Sequence, residues 1–503
     1  MTKEFFKAKT VLDPIEFWGV WSIPQQGTWQ EELSGLLKFQ RTSHGNLTIC
    51  GDMIKTPLLQ MESYPVLWGR SFASGKAISI FDAFVSQPPI IRQQKKQLVF
   101  IRFFEYWEGD VFFKNREDVK FKSLSFGIHN LETWHNLNSY EMSCSKGLKK
   151  IKMNYIRPSN LDLFEDENVT IKLGYAVGGP GMGYGQTVSS IKQSARIVIT
   201  SKRGRLLPFY GNTHSFQYYM NLIFCLLSLL IGKNTFIYDI CGTIKKARPA
   251  KDKRDLGLHA TRFWRQDIVA SHLKDLNITN LTFPYWYVKD CLKNAICQYN
   301  TYHLKISHLV LEIVEYQNRH QPIDRHLLSQ FIFLFEGIIR TLYEAEIKEY
   351  HEKKILTDEY EMMKKSVFGL CDSKQKKWLN DHLPPYPKFR EYYDVALKNT
   401  KDLFPYMFDE NGDERFSSLA DDMFRYLRKE RTKIAHAAGE SASDTHLYVY
   451  TLRWMHLFLV FTILKKCGIS TEIFKNRLKN SLPVYNSTKK YISALLAENA
   501  SKI

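Results

Sequence analysis

The 503-residue sequence contains no CxxC pair, and its eight cysteines, at 50, 144, 225, 241, 291, 297, 371 and 467, are scattered. That spacing argues against a zinc site and against a disulfide scaffold, and leaves buried thiols as the ordinary reading. No apolar run reaches the about 18 residues that span a bilayer. The greasiest stretches, Met220 to Ile231 and Leu457 to Leu464, read as buried helices instead. The start, Met1-Thr-Lys-Glu-Phe-Phe-Lys7, carries charge where a secretion signal needs an unbroken apolar stretch. A soluble, cytoplasmic protein with no membrane partner is therefore expected. HExxH, GxSxG and paired Asp-x-Asp patterns are missing, which leaves zinc protease, hydrolase and two-metal nuclease chemistry without support. Neither a metal nor a cofactor is expected. The glycine-rich stretch 174–185 lacks the Gly-Lys-Ser/Thr of a phosphate-cradling loop and reads as a loop between strands.

Positive charge is in surplus. Lys and Arg number 70 against 52 Asp and Glu, a formal +18, which suits a polyanionic partner. With 44% apolar residues the chain has ample material for packed cores, and its length suggests two to four domains of about 100–200 residues.

The first 200 residues are strand-like. Trp18 to Ile23, Leu33 to Phe39, Leu47 to Ile49, Leu98 to Tyr106, Val119 to Phe126 and Arg196 to Thr200 are short, aromatic or β-branched, and bounded by turn residues. His44-Gly-Asn46 and Glu108-Gly-Asp110 look like hairpin turns. From about residue 214 the apolar period becomes helical, with long candidates at His214 to Ile231, Pro284 to Gln317, Arg325 to Glu352, Arg415 to Ala438 and Asp444 to Cys467. The fold class predicted is α+β: a β-rich N-terminal domain, sandwich or partial barrel, at 1–210, then all-α. A helical connector is expected at 211–314, a helical domain at 315–480 and a tail at 481–503. Within the connector, residues 245–254 form a basic loop carrying Lys245, Lys246, Arg248, Lys251, Lys253 and Arg254.

One helix concentrates functional groups: Asp421-Asp-Met-Phe-Arg-Tyr-Leu-Arg-Lys-Glu-Arg431-Thr-Lys-Ile-Ala-His436, stopped by Gly439. Phe416, Leu419, Met423, Leu427 and Ile434 mark its buried face. Arg followed by four to six residues and then His is a cheap pattern. Four such pairs occur (Arg254/His259, Arg265/His272, Arg319/His326 and Arg431/His436), where composition alone supplies about two. Context singles out the last. A long apolar helix follows it, and another precedes it with Gln330-Phe-Ile-Phe-Leu-Phe-Glu336-Gly-Ile-Ile-Arg340.

That arrangement, over about residues 315–480, resembles a HEPN domain, the helical module of many prokaryotic RNA-cutting toxins. The N-terminal segments Phe17-Trp-Gly-Val-Trp-Ser-Ile-Pro24, Leu33-Ser-Gly-Leu-Leu-Lys-Phe39 and Gly45-Asn-Leu-Thr-Ile-Cys-Gly51 resemble the ApeA family of anti-phage HEPN proteins. The resemblance implies a metal-independent endoribonuclease that shuts down an infected cell by cutting RNA, tRNA included. It also implies a homodimer or higher homo-oligomer and a phage-encoded trigger protein, and the β domain is expected either to hold the nuclease in check or to sense a phage component. The alternative is a non-catalytic HEPN scaffold that binds RNA or a partner. Thr432 departs from the Asn, Asp or His that HEPN nucleases usually carry after the motif Arg.

His436 suits proton transfer because its ordinary pKa leaves both forms populated near neutrality. Arg431 presents a charged planar fork to phosphate. Arg425, Arg428, Lys429, Thr432 and Lys433 are the RNA-binding candidates beside them. Glu336, on an apolar helix, either orients His436, pairs with Arg431, or makes a structural pair with Arg340 one turn on. Five positions on an ideal helix put Arg431 and His436 about 140° apart, so they meet by deformation, by reach of the long Arg stem, or between two protomers.

Overall fold

The computed structural model describes residues 13–22, 33–52, 62–91, 96–136, 140–144, 151–156, 158–178, 192–244, 258–266, 274–318, 325–355, 358–382, 389–407, 419–435 and 445–479. The chain divides into two compact units, Met1–Tyr285 and Trp286–Ile503.

The first unit is built on antiparallel strands. Six of them, β1 (Ile15–Ser22), β2 (Leu33–Phe39), β3 (Gly45–Asp52), β4 (Ser63–Ser71), β5 (Ala77–Ile91) and β6 (Lys96–Phe103), close on themselves in the order β4-β1-β2-β3-β6-β5. Closure removes the sheet edges. Alternation supplies the interior: Trp21, Leu37, Phe39, Leu47, Ile49, Ile78, Ile80, Val99, Ile101 and Phe103 are all buried in one cluster.

The 15-residue β5 is long enough to serve two layers. It pairs with β4 and β6 in the barrel and also with β7 (Glu105–Gly109). Beyond β7 the sheet continues through β17 (Leu258–Trp264), β16 (Ile237–Ile244), β9 (Ser123–Ile128), β14 (Lys192–Ser201), β13 (Val169–Gly178) and β12 (Leu161–Glu165). Two short pairs, β8 (Lys120–Phe121) with β15 (Leu207–Pro208) and β10 (Tyr140–Cys144) with β11 (Ile151–Tyr155), complete the strands among the described residues. A short helix α1 (Leu131–His135) and a long one, α2 (Phe216–Ile231), both lie against β14. Ser215 caps α2, accepting from the Tyr218 N–H at 3.1 Å, and Gly232 ends it at φ 99°.

The α+β class stands, with a closed barrel continued into an open sheet. Two expectations need correction. The stretch 211–314 is not helical throughout, because β16 and β17 lie between α2 and the next long helix and pair into the middle of the sheet. Glu108-Gly-Asp110 does not close a hairpin either. The β7 strand pairs with β5 and β17, and the Asp110 carboxylate accepts from the His259 N–H at 2.7 Å.

The second unit is helical: α3 (Tyr285–Val288) at the division, then α4 (Leu292–Asn318), α5 (Arg325–Leu342), α6 (Glu344–Ile355), α7 (Asp358–Gly369), α8 (Ser373–His382), α9 (Phe389–Thr400), α10 (Leu419–Ala435), α11 (Thr445–Lys466) and α12 (Thr471–Lys479). The predicted helix over Arg325 to Glu352 divides only at Tyr343. Backbone bonds from Tyr343 to Ile339 and from Ile347 to Tyr343 carry the ladder across the turn. Helix α5 is the hub, touching α4, α6, α9, α10 and α11. Helix α11 is buried at most positions from Leu452 through Leu464, with Arg453 and His456 half-buried among them, as suits an interior helix of a bundle.

Candidate functional site

Helix α10 is amphipathic. Met423, Phe424 and Leu427 are buried, while Arg425, Arg428 and Lys429 are exposed on its other face. Thr432 and Lys433 continue the helix, and their side chains lie outside the described set. His436 lies one residue past the last described position of α10, and so outside the described residues, as do Lys245, Lys246, Arg248, Lys251, Lys253 and Arg254 of the basic loop.

Arg431 sits where α10 meets α5. Its Nε donates to Glu336 Oε1 at 2.6 Å, and its Nη2 approaches Oε2 at 3.5 Å. The two residues are 95 positions apart in sequence and on different helices, so tertiary packing alone brings them together. Leu334, Phe335, Ile338 and Ile339 bury their side chains around Glu336 and leave its carboxylate on the rim of that apolar face. The pairing is with Arg431 and not with Arg340, the other partner that spacing allowed.

Helix α9 forms the third wall, which the sequence reading did not identify. The Arg431 guanidinium lies 5.7 Å from the centre of the Phe389 ring, which stacks on Phe424 of α10. Arg390 covers the Phe424 ring at 4.5 Å and is held by Asp394, which also accepts from the Tyr350 hydroxyl at 3.0 Å. Tyr392 feels Arg340, Glu336 and Arg431 together, and burial pushes its phenol up from the ordinary value. Next to Tyr392 in sequence, buried Glu391 engages His351 Nδ1 at 2.6 Å. The charged residues set among aromatics in Phe389-Arg-Glu-Tyr-Tyr-Asp394 are the signal in the sequence that could have pointed here.

The site therefore offers a guanidinium fixed by a carboxylate on one edge and an aromatic ring nearby, with cations along the exposed face of α10. Such an arrangement can hold a phosphate beside the Nη1 end of Arg431. Among the described residues no three His, Cys, Asp or Glu side chains converge as a metal site would require.

No curated protein and no solved structure matches the chain. A family model does: the ApeA N-terminal domain 1 matches residues 16–296, the β-rich unit and the start of α4, more than half of the sequence. The chain belongs to the ApeA family.

Proposed function

We propose that the chain is an endoribonuclease of anti-phage defence, cutting cellular RNA without a metal and thereby arresting the infected cell. Membership of the ApeA family suggests anti-phage defence. The observation that carries the catalytic part is the Arg431–Glu336 pair. A structural salt bridge has no need to sit at the end of a cation-lined helix, five positions before a histidine.

In this reading the ribose 2'-oxygen attacks the adjacent phosphorus. The 2'-proton passes to a base, the bond from phosphorus to the 5'-oxygen breaks, and that oxygen takes a proton from an acid. His436 serves as one of those two groups, Arg431 neutralises charge building on the phosphoryl oxygens, and Glu336 positions Arg431. Arg425, Arg428 and Lys429, with Thr432 and Lys433, contact the flanking phosphates. The substrate class is cytoplasmic RNA, tRNA among it, and a phage component is the trigger.

Purified protein should cut RNA in the presence of EDTA and leave a 2',3'-cyclic phosphate or 3'-phosphate on the upstream fragment. Cutting of a substrate carrying hydrogen in place of the 2'-hydroxyl at the scissile position would rule the mechanism out. RNA that is bound and left whole would instead make the chain a HEPN scaffold.

A further inference from the structure

A second built site lies in the first unit, at a cavity of about 540 Å3 beside the start of β7. Its organising group is Glu105, 4% exposed. One carboxylate oxygen accepts from Arg262 Nε at 2.8 Å and from the same guanidinium's Nη2. The other takes the Tyr210 hydroxyl at 2.9 Å and Arg116 Nη2 at 2.9 Å. The carboxylate is saturated, so it holds two guanidiniums in set planes and has nothing left for a ligand. Aromatic rings complete the clamp: Arg262 lies 4.9 Å from Phe209 and 5.2 Å from Trp264, and Arg116 lies 5.1 Å from Tyr210.

The lining is cationic on balance. Arg116, Arg262 and Arg265 face Glu105 as the one carboxylate in the wall, and Asp82, which pairs with Arg116 at 2.8 Å, lies outside the lining and is itself exposed. Phe104, 45% exposed, presents an apolar ring at the same cavity. A volume of this size is that of a small-molecule site. Guanidinium forks recognise phosphate, and guanidinium and aromatic planes both stack on bases. A ligand with one planar ring and one compact anion answers every feature of the wall.

We propose that this cavity binds a nucleoside monophosphate unit, with its phosphate on Arg265 and Arg116 and its base against Phe104 and the clamped Arg262. The unit comes either as a free nucleotide or as the 5'-end of an RNA. Because the cavity and the Arg431 site share no residue, occupancy is measured without reference to cleavage.

Calorimetry on the full chain tests it, with AMP, GMP, CMP and UMP as probes and adenosine, inorganic phosphate and a tetraglutamate peptide as comparators. One mononucleotide should bind per chain at least about tenfold more tightly than adenosine or phosphate. Arg265→Gln, which leaves the Glu105 clamp whole, and Arg116→Gln should each weaken binding at least about fivefold, while Arg431→Ala should not. A 2'-O-methyl tetranucleotide with a 5'-phosphate, compared with its 5'-hydroxyl form, separates the sources. Binding of the phosphorylated form identifies an RNA end, binding of mononucleotides alone identifies a free nucleotide, and either supports the site. No binding of any of the four mononucleotides or of the 5'-phosphorylated tetranucleotide at millimolar concentration, equal affinity in wild type and both cavity variants, loss of binding in Arg431→Ala, or preference for the peptide would each overturn it.

Discussion

The Arg431 side chain keeps 41% of its surface in solvent and that of Glu336 keeps 20%. A pair so exposed contributes about 0–1 kcal/mol to stability. Its substitution should therefore show in function and hardly in folding. Arg431→Lys retains the charge and loses the fork, so RNA cleavage should fall by about 10²-fold or more, with a melting temperature close to wild type. Near-normal cleavage would move the phosphate-binding role to Arg428. His436→Ala should remove about 10²–10⁴ in rate, and a mutant cutting at the wild-type rate would refute the assignment. Other histidines matter to stability instead. His135 in the first unit and His303 in the second are both held by burial at about 4, below the ordinary 6.5. Each stays neutral in the folded chain while the unfolded chain takes up a proton. Their contribution is therefore complete above pH 6.5 and is lost as pH falls from there toward 4. The melting temperature should decline between about pH 6.5 and 5, and His303→Leu should make that decline shallower; an unchanged slope would mean the ring is not charged on unfolding.

Elements set by local pattern were readable, and those set by distant pairing were not. The barrel strands alternate cleanly: Trp21 is fully buried while Trp18, three positions earlier, is 57% exposed. The bundle helices α10 and α11 begin and end within a few residues of the apolar period. Strands β16 and β17 were missed because Ile237–Ile244 follows a mostly buried helix and carries Asp239, Gly242 and Thr243, and because each strand takes a partner more than 100 residues away, β9 for β16 and β7 for β17. Likewise Glu336 was legible as an acid on an apolar helix, but its choice of Arg431 over Arg340 is tertiary. The packing inside the barrel includes a detail no pattern announces, the seating of the Trp21 indole against two glycines. A Cβ on Gly69 would stand 2.3 Å from the indole, and one on Gly35 would stand 2.9 Å from it. These glycines occupy the strands on either side of β1, so the ring has no lateral escape. Gly69→Ala should cost about 1–3 kcal/mol by overpacking and lower the melting temperature of the N-terminal unit. A variant as stable as wild type would mean that the indole can shift.

At the scale of the whole molecule, one motif per chain has to supply two proton transfers. In-line displacement puts the attacking 2'-oxygen and the leaving 5'-oxygen on opposite sides of phosphorus, where one imidazole does not reach both, so the proposed mechanism needs a second group. A homodimer or larger assembly facing two motifs into one cleft provides it. Apolar surface argues little for this: α11 spends its greasy side chains inside its own bundle, and among the described residues of α5 the exposed large apolar one is Phe333, at 58%. The case rests instead on proton count, and kinetics can decide it. Specific activity should drop on dilution below the dimer dissociation constant, and mixing His436→Ala chains into wild type should yield a rate that is not the weighted mean of the two. A chain that sediments as a monomer and keeps full activity at nanomolar concentration would require the second group within one chain. His351, already aligned by buried Glu391 and carried by the bundle that holds Arg431, would then be the first to replace: His351→Gln should abolish cleavage in that monomer and only trim it in a dimer.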